Sequence, residues 1–230
     1  MSVETTATDF PVVGDVQNDV TDREFDAHMV SLLLHEPFFS ALLRRVTKVK
    51  TEAVPTAGVT VKDGEFKLFW NPKFVGSLEK KEVRGLLKHE SYHLIFDHCV
   101  SRKKEPHMLW NWATDLAINS LIPMDELPEG GLRPGQPLDL SKIDKPDLLA
   151  KWQKVSDFVE TLELNLAAEQ YFKMLQDNED IRETIEQPGE GSFVLDDHEG
   201  WDTLSDEEKQ IAKGKIKQAL AEAVKKADQS

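Results

Sequence analysis

The sequence predicts an α+β fold with a helix-dominated core and a small β-sheet or hairpin ahead of its central helix. Three observations predict it. Stretches with helical spacing of apolar residues dominate the chain, the clearest starting near Asp22, Glu82, Met108 and Ser205. Two short runs, Gly58–Val61 and Glu65–Trp70, are joined by Lys62-Asp63-Gly64, where Asp-Gly is a strong hairpin signal. Finally, Glu82–Val100 is apolar nearly all round yet carries two histidines and a glutamate, so a helix built for burial holds a polar group.

In chain order, residues 1–20 are polar and acidic, without the basic and apolar regions of a secretory signal, and are expected to form a flexible tail. Asp22–Leu34 reads as an amphipathic helix through Phe25, Met29, Leu32 and Leu33, and Pro37 starts a second short helix to about Arg45. Val46–Ala53 is a strand. Ser77 is the expected N-cap of the central helix, with Glu79 and Glu82 suiting its positive end. Met108–Leu121 is a second buried helix, bounded by Pro106 and Pro123. Residues 122–146 are rich in proline and glycine and read as a long loop, either a lid over a cleft or an ordinary insertion. Helices follow at Leu148–Leu162 and Leu166–Leu175, the latter capped by Asn165. Ser205 and Glu208 form a capping box for a C-terminal amphipathic helix over residues 205–227. Residues 21–230 are thus expected to form a single domain.

Composition narrows the function. The chain has 230 residues, 40% of them hydrophobic and 30% charged, which suits a soluble globular protein. A net charge of −14 argues against nonspecific binding to nucleic acid or an anionic membrane. No apolar run reaches the ~18 residues of a membrane span. The lone Cys99 excludes an intrachain disulfide and fits a reducing cytoplasm. There is no internal repeat, no glycine-rich phosphate loop and no serine nucleophile elbow.

The chemistry concentrates in His89-Glu90-Ser91-Tyr92-His93. Residues four apart on a helix share a face, so the two imidazoles can hold one Zn²⁺ at roughly 2.0–2.1 Å per nitrogen. Glu90 is then placed to take a proton from water at the metal. Zinc wants a third protein ligand. On the second buried helix Asn111, Asp115 and Asn119 form one polar stripe, and Asp115 is its only charge. A returning antiparallel helix brings that carboxylate beside the imidazoles, with Asn111 and Asn119 as candidates to orient the ligands. His98 competes as third ligand, but it lies about 180° round an ideal helix from His89 and qualifies only if the helix ends before it. Otherwise it reads as a surface or partner-facing histidine. Asp97, about 12 Å along the axis at 1.5 Å per residue, reads as an outer or solvated group. His198, among acids in the glycine-rich stretch 186–203, is a group that stabilises a tetrahedral intermediate, a remote alternative ligand or a solvated side chain.

Asn71-Pro72-Lys73-Phe74, the motif from His89 to His98, Arg102, and the run Asn111–Asn119 together resemble the putative metallopeptidase domain family of bacteria and their phages, which is often followed by a von Willebrand A-like domain. The likeness extends over about residues 22–225. It implies a zincin-like fold, with His89, His93 and Asp115 at a Zn²⁺ site and Glu90 as catalytic base. No room remains for a von Willebrand A-like domain before Ser230, so the expectation is a short family member or one half of a separately encoded pair. The expected function is hydrolysis of a peptide or protein substrate in the cytoplasm of a bacterial or phage-infected cell. The alternative is a weakly active or inactive adaptor or assembly protein on the same fold. In zincins an edge strand beside the metal pairs with extended substrate; Glu65–Trp70 or Val46–Ala53 is the expected edge, or else part of a plain structural hairpin.

Overall fold

The computed structural model describes residues 19–62, 64–128, 130–188 and 204–228. Helix α1 spans Asp22–His35 and opens with a reciprocal cap: the Thr21 hydroxyl accepts from the Glu24 N–H, and Glu24 Oε2 accepts from the Thr21 N–H at 2.8 Å. The expected tail of residues 1–20 lies outside the described residues as far as residue 18. Val20 is already packed in place, its N–H donating to the Pro72 carbonyl. α2 follows at Pro37–Leu43 with proline in its first turn, where no N–H is missed.

Among the described residues three strands form one sheet, β1 (Thr47–Lys50), β2 (Ala57–Lys62) and β3 (Glu65–Trp70), in the order β1-β3-β2. β2 and β3 pair antiparallel as the expected hairpin, and Gly64 supplies the left-handed backbone at φ 69°. Asp63 lies outside the described residues. β1 pairs parallel to β3, which makes β3 the central strand and removes it as a substrate edge. β1 is an edge, but the edge tied to the central helix is β2, through Val59. β1 meets β3 only after the chain has passed through β2, with Thr47 opposite Lys67, and a pairing between such separated segments leaves no local sequence mark.

Two features of the next stretch depart from expectation. A short helix α3, Pro72–Ser77, intervenes, capped by Asn71, whose Oδ1 accepts from the N–H groups of Lys73 and Phe74. Ser77 therefore ends a helix and does not begin one. The central helix α4, Lys80–Ile95, is capped instead by Glu79, whose N–H donates to Glu82 Oε2 at 2.7 Å. α4 stops at Phe96, and Asp97 turns the chain with φ 60°.

α5, His107–Asn119, is buried continuously from Leu109 to its end. The loop beyond it carries one 3₁₀ turn, Met124–Glu126, pressed against α4: a Cβ on Gly85 would stand 1.9 Å from the Glu126 carbonyl oxygen, so only glycine fits there. Buried Glu126 accepts from Arg84 and from Lys88, and Lys88 also donates to Glu36. α6 (Pro146–Glu160) starts on its proline, two residues earlier than Leu148. α7 (Ala168–Asp177) begins after Ala167; Asn165 is no cap but a left-handed residue at φ 63°. An extra helix, α8 (Glu179–Glu186), is capped by Asn178. α9 (Asp206–Ala227) carries the Ser205–Glu208 capping box as expected.

Among the described residues the apolar side chains form two cores. One joins α1, α2, α3, the sheet, α4 and α9; the other joins α5 to α8 with Leu132, Leu138 and Ile143 of the long loop. α4 belongs to the first and α5 to the second. The polar residues of the central motif lie at this seam. Among the described residues no helix is long and apolar enough to cross a membrane.

Candidate metal centre

His89 and His93 leave one face of α4 one turn apart, and their Nε2 atoms approach to 3.0 Å. Asp115 enters from α5: its Oδ1 lies 3.3 Å from His93 Nε2 and 3.6 Å from His89 Nε2. One ligand atom from each of the three residues falls within 4.8 Å of the others, the spacing of a group that can hold a metal ion. His93 is fully buried and the His89 side chain is 13% exposed, so the cluster meets solvent on the His89 side.

Hydrogen bonds behind the imidazoles decide which nitrogen faces inward. Asn119 Nδ2 donates to the Leu132 carbonyl at 2.7 Å, which turns its Oδ1 toward His89. That oxygen must accept, so His89 Nδ1 carries the proton (2.8 Å) and Nε2 presents a lone pair to the cluster. His93 Nδ1 faces Nδ1 of His98 at 3.3 Å. Two imidazole nitrogens and a carboxylate oxygen thus converge, and all three are acceptors in the state where His93, like His89, carries its proton on Nδ1. In that state the three atoms form a ligand set whose chemistry fits a divalent metal.

Glu90, on the same turn, is not one of the three grouped ligand residues. It is fully buried, and its Oε2 accepts from the Val59 N–H of β2 at 2.9 Å. This ties the motif glutamate to the sheet edge and fixes its rotamer. Val59 takes part through its backbone, which no side-chain pattern could signal.

The other candidates are sorted by contact. Asn119 touches a motif histidine directly, whereas Asn111 donates to His107 Nδ1 at 3.5 Å. His98 is neither exposed nor part of the cluster: it is 1% exposed and packs behind His93. The surface reading fails because α4 ends at Phe96 and the Asp97 turn folds His98 back inward. Asp97 itself accepts from the Ser101 hydroxyl. His198 lies outside the described residues.

A family model described as "Putative metallopeptidase domain" matches residues 21–229. A protein of Thermotoga maritima, described as an uncharacterized protein, is 34% identical over 62 residues, which is 26% of this chain and only 16% of that relative's length. No solved structure matches.

Proposed function

The chain belongs to the putative metallopeptidase domain family, and from that premise we propose that it is a zinc-dependent peptidase of the zincin type. His89 Nε2, His93 Nε2 and Asp115 hold the ion. The observation that carries this reading is the convergence of those three ligand atoms, with His89 turned by Asn119 so that its lone pair faces inward. Zn²⁺ suits two imidazoles and a carboxylate, and when bound it supplies Lewis acidity, polarising the scissile carbonyl and lowering the pKa of water to about 7.

Glu90 is the general base. Its carboxylate takes a proton from the attacking water as the C–O bond forms, and returns it to the amine nitrogen as the C–N bond breaks. The Val59 N–H holds one carboxylate oxygen throughout, so the base is oriented before substrate arrives. Asn119 keeps the His89 ring in register. The substrate is a peptide or protein segment. The net charge of −14 argues against nucleic acid as substrate, and the proposed setting is the bacterial or phage-infected cytoplasm, with a von Willebrand A-like domain as a partner.

One observation favours a second reading, an adaptor with little or no turnover: Glu90 and His93 are both 0% exposed. Three protein donors weigh against it, because structural zinc sites are closed by four. Elemental analysis of the purified protein, followed by digestion of a diverse peptide library with and without chelator, separates the two. One bound zinc with chelator-sensitive cleavage supports the peptidase. One bound zinc with no cleavage supports the adaptor.

A further inference from the structure

We infer that His98 is a positioning residue that holds His93 in the tautomer able to ligate metal; the inference rests on the zinc reading above. His93 can offer Nε2 to a metal only with its proton on Nδ1. The atom facing that Nδ1 is Nδ1 of His98, 3.3 Å away. A neutral His98 accepts there, and its own proton then sits on Nε2. In the reverse arrangement His98 donates, His93 carries its proton on Nε2, and the lone pair is lost to the cluster. The pair therefore has two concerted tautomeric states, and only one of them is competent.

The backbone and the second core both hold His98 for this task. The His98 N–H donates to the His93 carbonyl at 3.0 Å, so residue and ring are tied to the same partner. The φ of 60° at Asp97 makes that return possible. Trp110 of α5 meets the His98 ring edge-on at 5.9 Å, and Phe96 packs at 5.6 Å. Trp110 is fixed in turn by donating Nε1 to the Arg102 carbonyl at 2.7 Å. The result mirrors His89, whose Nδ1 proton goes to Asn119: each motif histidine has a buried acceptor behind it. Partners of this kind typically alter metal affinity by about 10–100-fold when removed.

The test uses the full chain as wild type, His98→Phe, which keeps the ring and removes the acceptor, and His98→Asn, which restores an acceptor at similar reach. Zinc affinity is measured by competition with a chromophoric chelator, and imidazole ¹⁵N spectra of the zinc-loaded wild type report the His93 and His98 tautomers. Expected are a loss of about 10–100-fold for His98→Phe, substantial recovery in His98→Asn, and a proton on Nδ1 of His93. Wild-type affinity in a folded His98→Phe overturns the inference, as does a spectrum showing His98 bound to zinc or His93 protonated on Nε2. If His98→Phe does not fold, by circular dichroism, the Asn variant and the wild-type spectra decide. Wild type that takes up no zinc instead overturns the reading on which the inference rests.

Discussion

Asn119 Oδ1 accepts the Nδ1 proton of His89 at 2.8 Å while Asn119 Nδ2 donates to the Leu132 carbonyl, so one amide joins a motif histidine to the long loop beyond α5. The loop is thereby part of the site's framework. Arg133, next in the chain, reinforces the link by donating to the Ile122 carbonyl at 2.7 Å. Replacing Asn119 with leucine keeps the volume and removes both bonds. Zinc affinity should fall by roughly 10–100-fold with the fold intact, read by chelator competition and circular dichroism. Unchanged affinity would detach Asn119 from the site.

Glu90→Gln isolates the base from the ligands. The glutamine amide oxygen still accepts from Val59, so the rotamer and the metal site should survive. If the chain is a peptidase, turnover on a cleaved library peptide should drop by at least about 10²–10⁴-fold, the usual contribution of general base catalysis, with zinc content unchanged. A Glu90→Gln enzyme as fast as wild type would remove Glu90 from the mechanism.

Much of this arrangement was legible in the sequence, and what was not has a physical reason. Spacing alone placed His89 and His93 on one helical face, and an isolated charge on an apolar helix singled out Asp115, because burying such groups without partners is costly. The Asp-Gly turn marked the hairpin. Three things escaped. The parallel pairing of β1 with β3 depends on contacts remote in sequence. The end of α4 has no glycine or proline to announce it, since Asp97 takes the left-handed role, and with it went the true position of His98. The Val59 contact to Glu90 is made by a backbone N–H, identical in every residue but proline.

Lys88 presents a pH-dependent link on the far side of α4. Burial by itself would lower its pKa, but the carboxylates of Glu126 and Glu36, both within 3.0 Å, outweigh burial and raise it above the ordinary 10.5. A raised folded value means the stabilisation is fully present below the unfolded pKa and disappears as pH climbs through the folded one. Lys88→Met should therefore be less stable than wild type at pH 8 by about 1.5–3 kcal/mol, the worth of hydrogen bonds to charged groups, because Glu126 keeps Arg84 and Glu36 is partly open to water. The gap should close only at pH values above 10.5. Thermal unfolding of both proteins from neutral to strongly alkaline pH measures it; a constant gap across the range would contradict the linkage.

Cys99 should be chemically silent. Burial pushes its thiol up to about 12, and nearby Asp97 adds to the effect, so thiolate is scarce at neutral pH. Native protein at pH 8 should react with an aromatic disulfide reagent far more slowly than the same protein in denaturant, where one thiol per chain should titrate. Rapid native labelling would mean that the turn after α4 opens readily.

The third ligand is the assignment most exposed to test. Asp115 Oδ1 faces both Nε2 atoms, whereas His98 stands behind His93. Asp115→Ala should therefore weaken zinc binding more than either His98→Phe or His198→Ala. The same variant should lose most of the thermal stabilisation that zinc confers on wild type, because metal binding free energy is added to folding free energy. Zinc-dependent shifts in melting temperature and chelator competition, run on all three variants, rank the ligands independently of turnover. Metal retained at wild-type affinity by Asp115→Ala, together with its release from His198→Ala, would transfer the third position to His198.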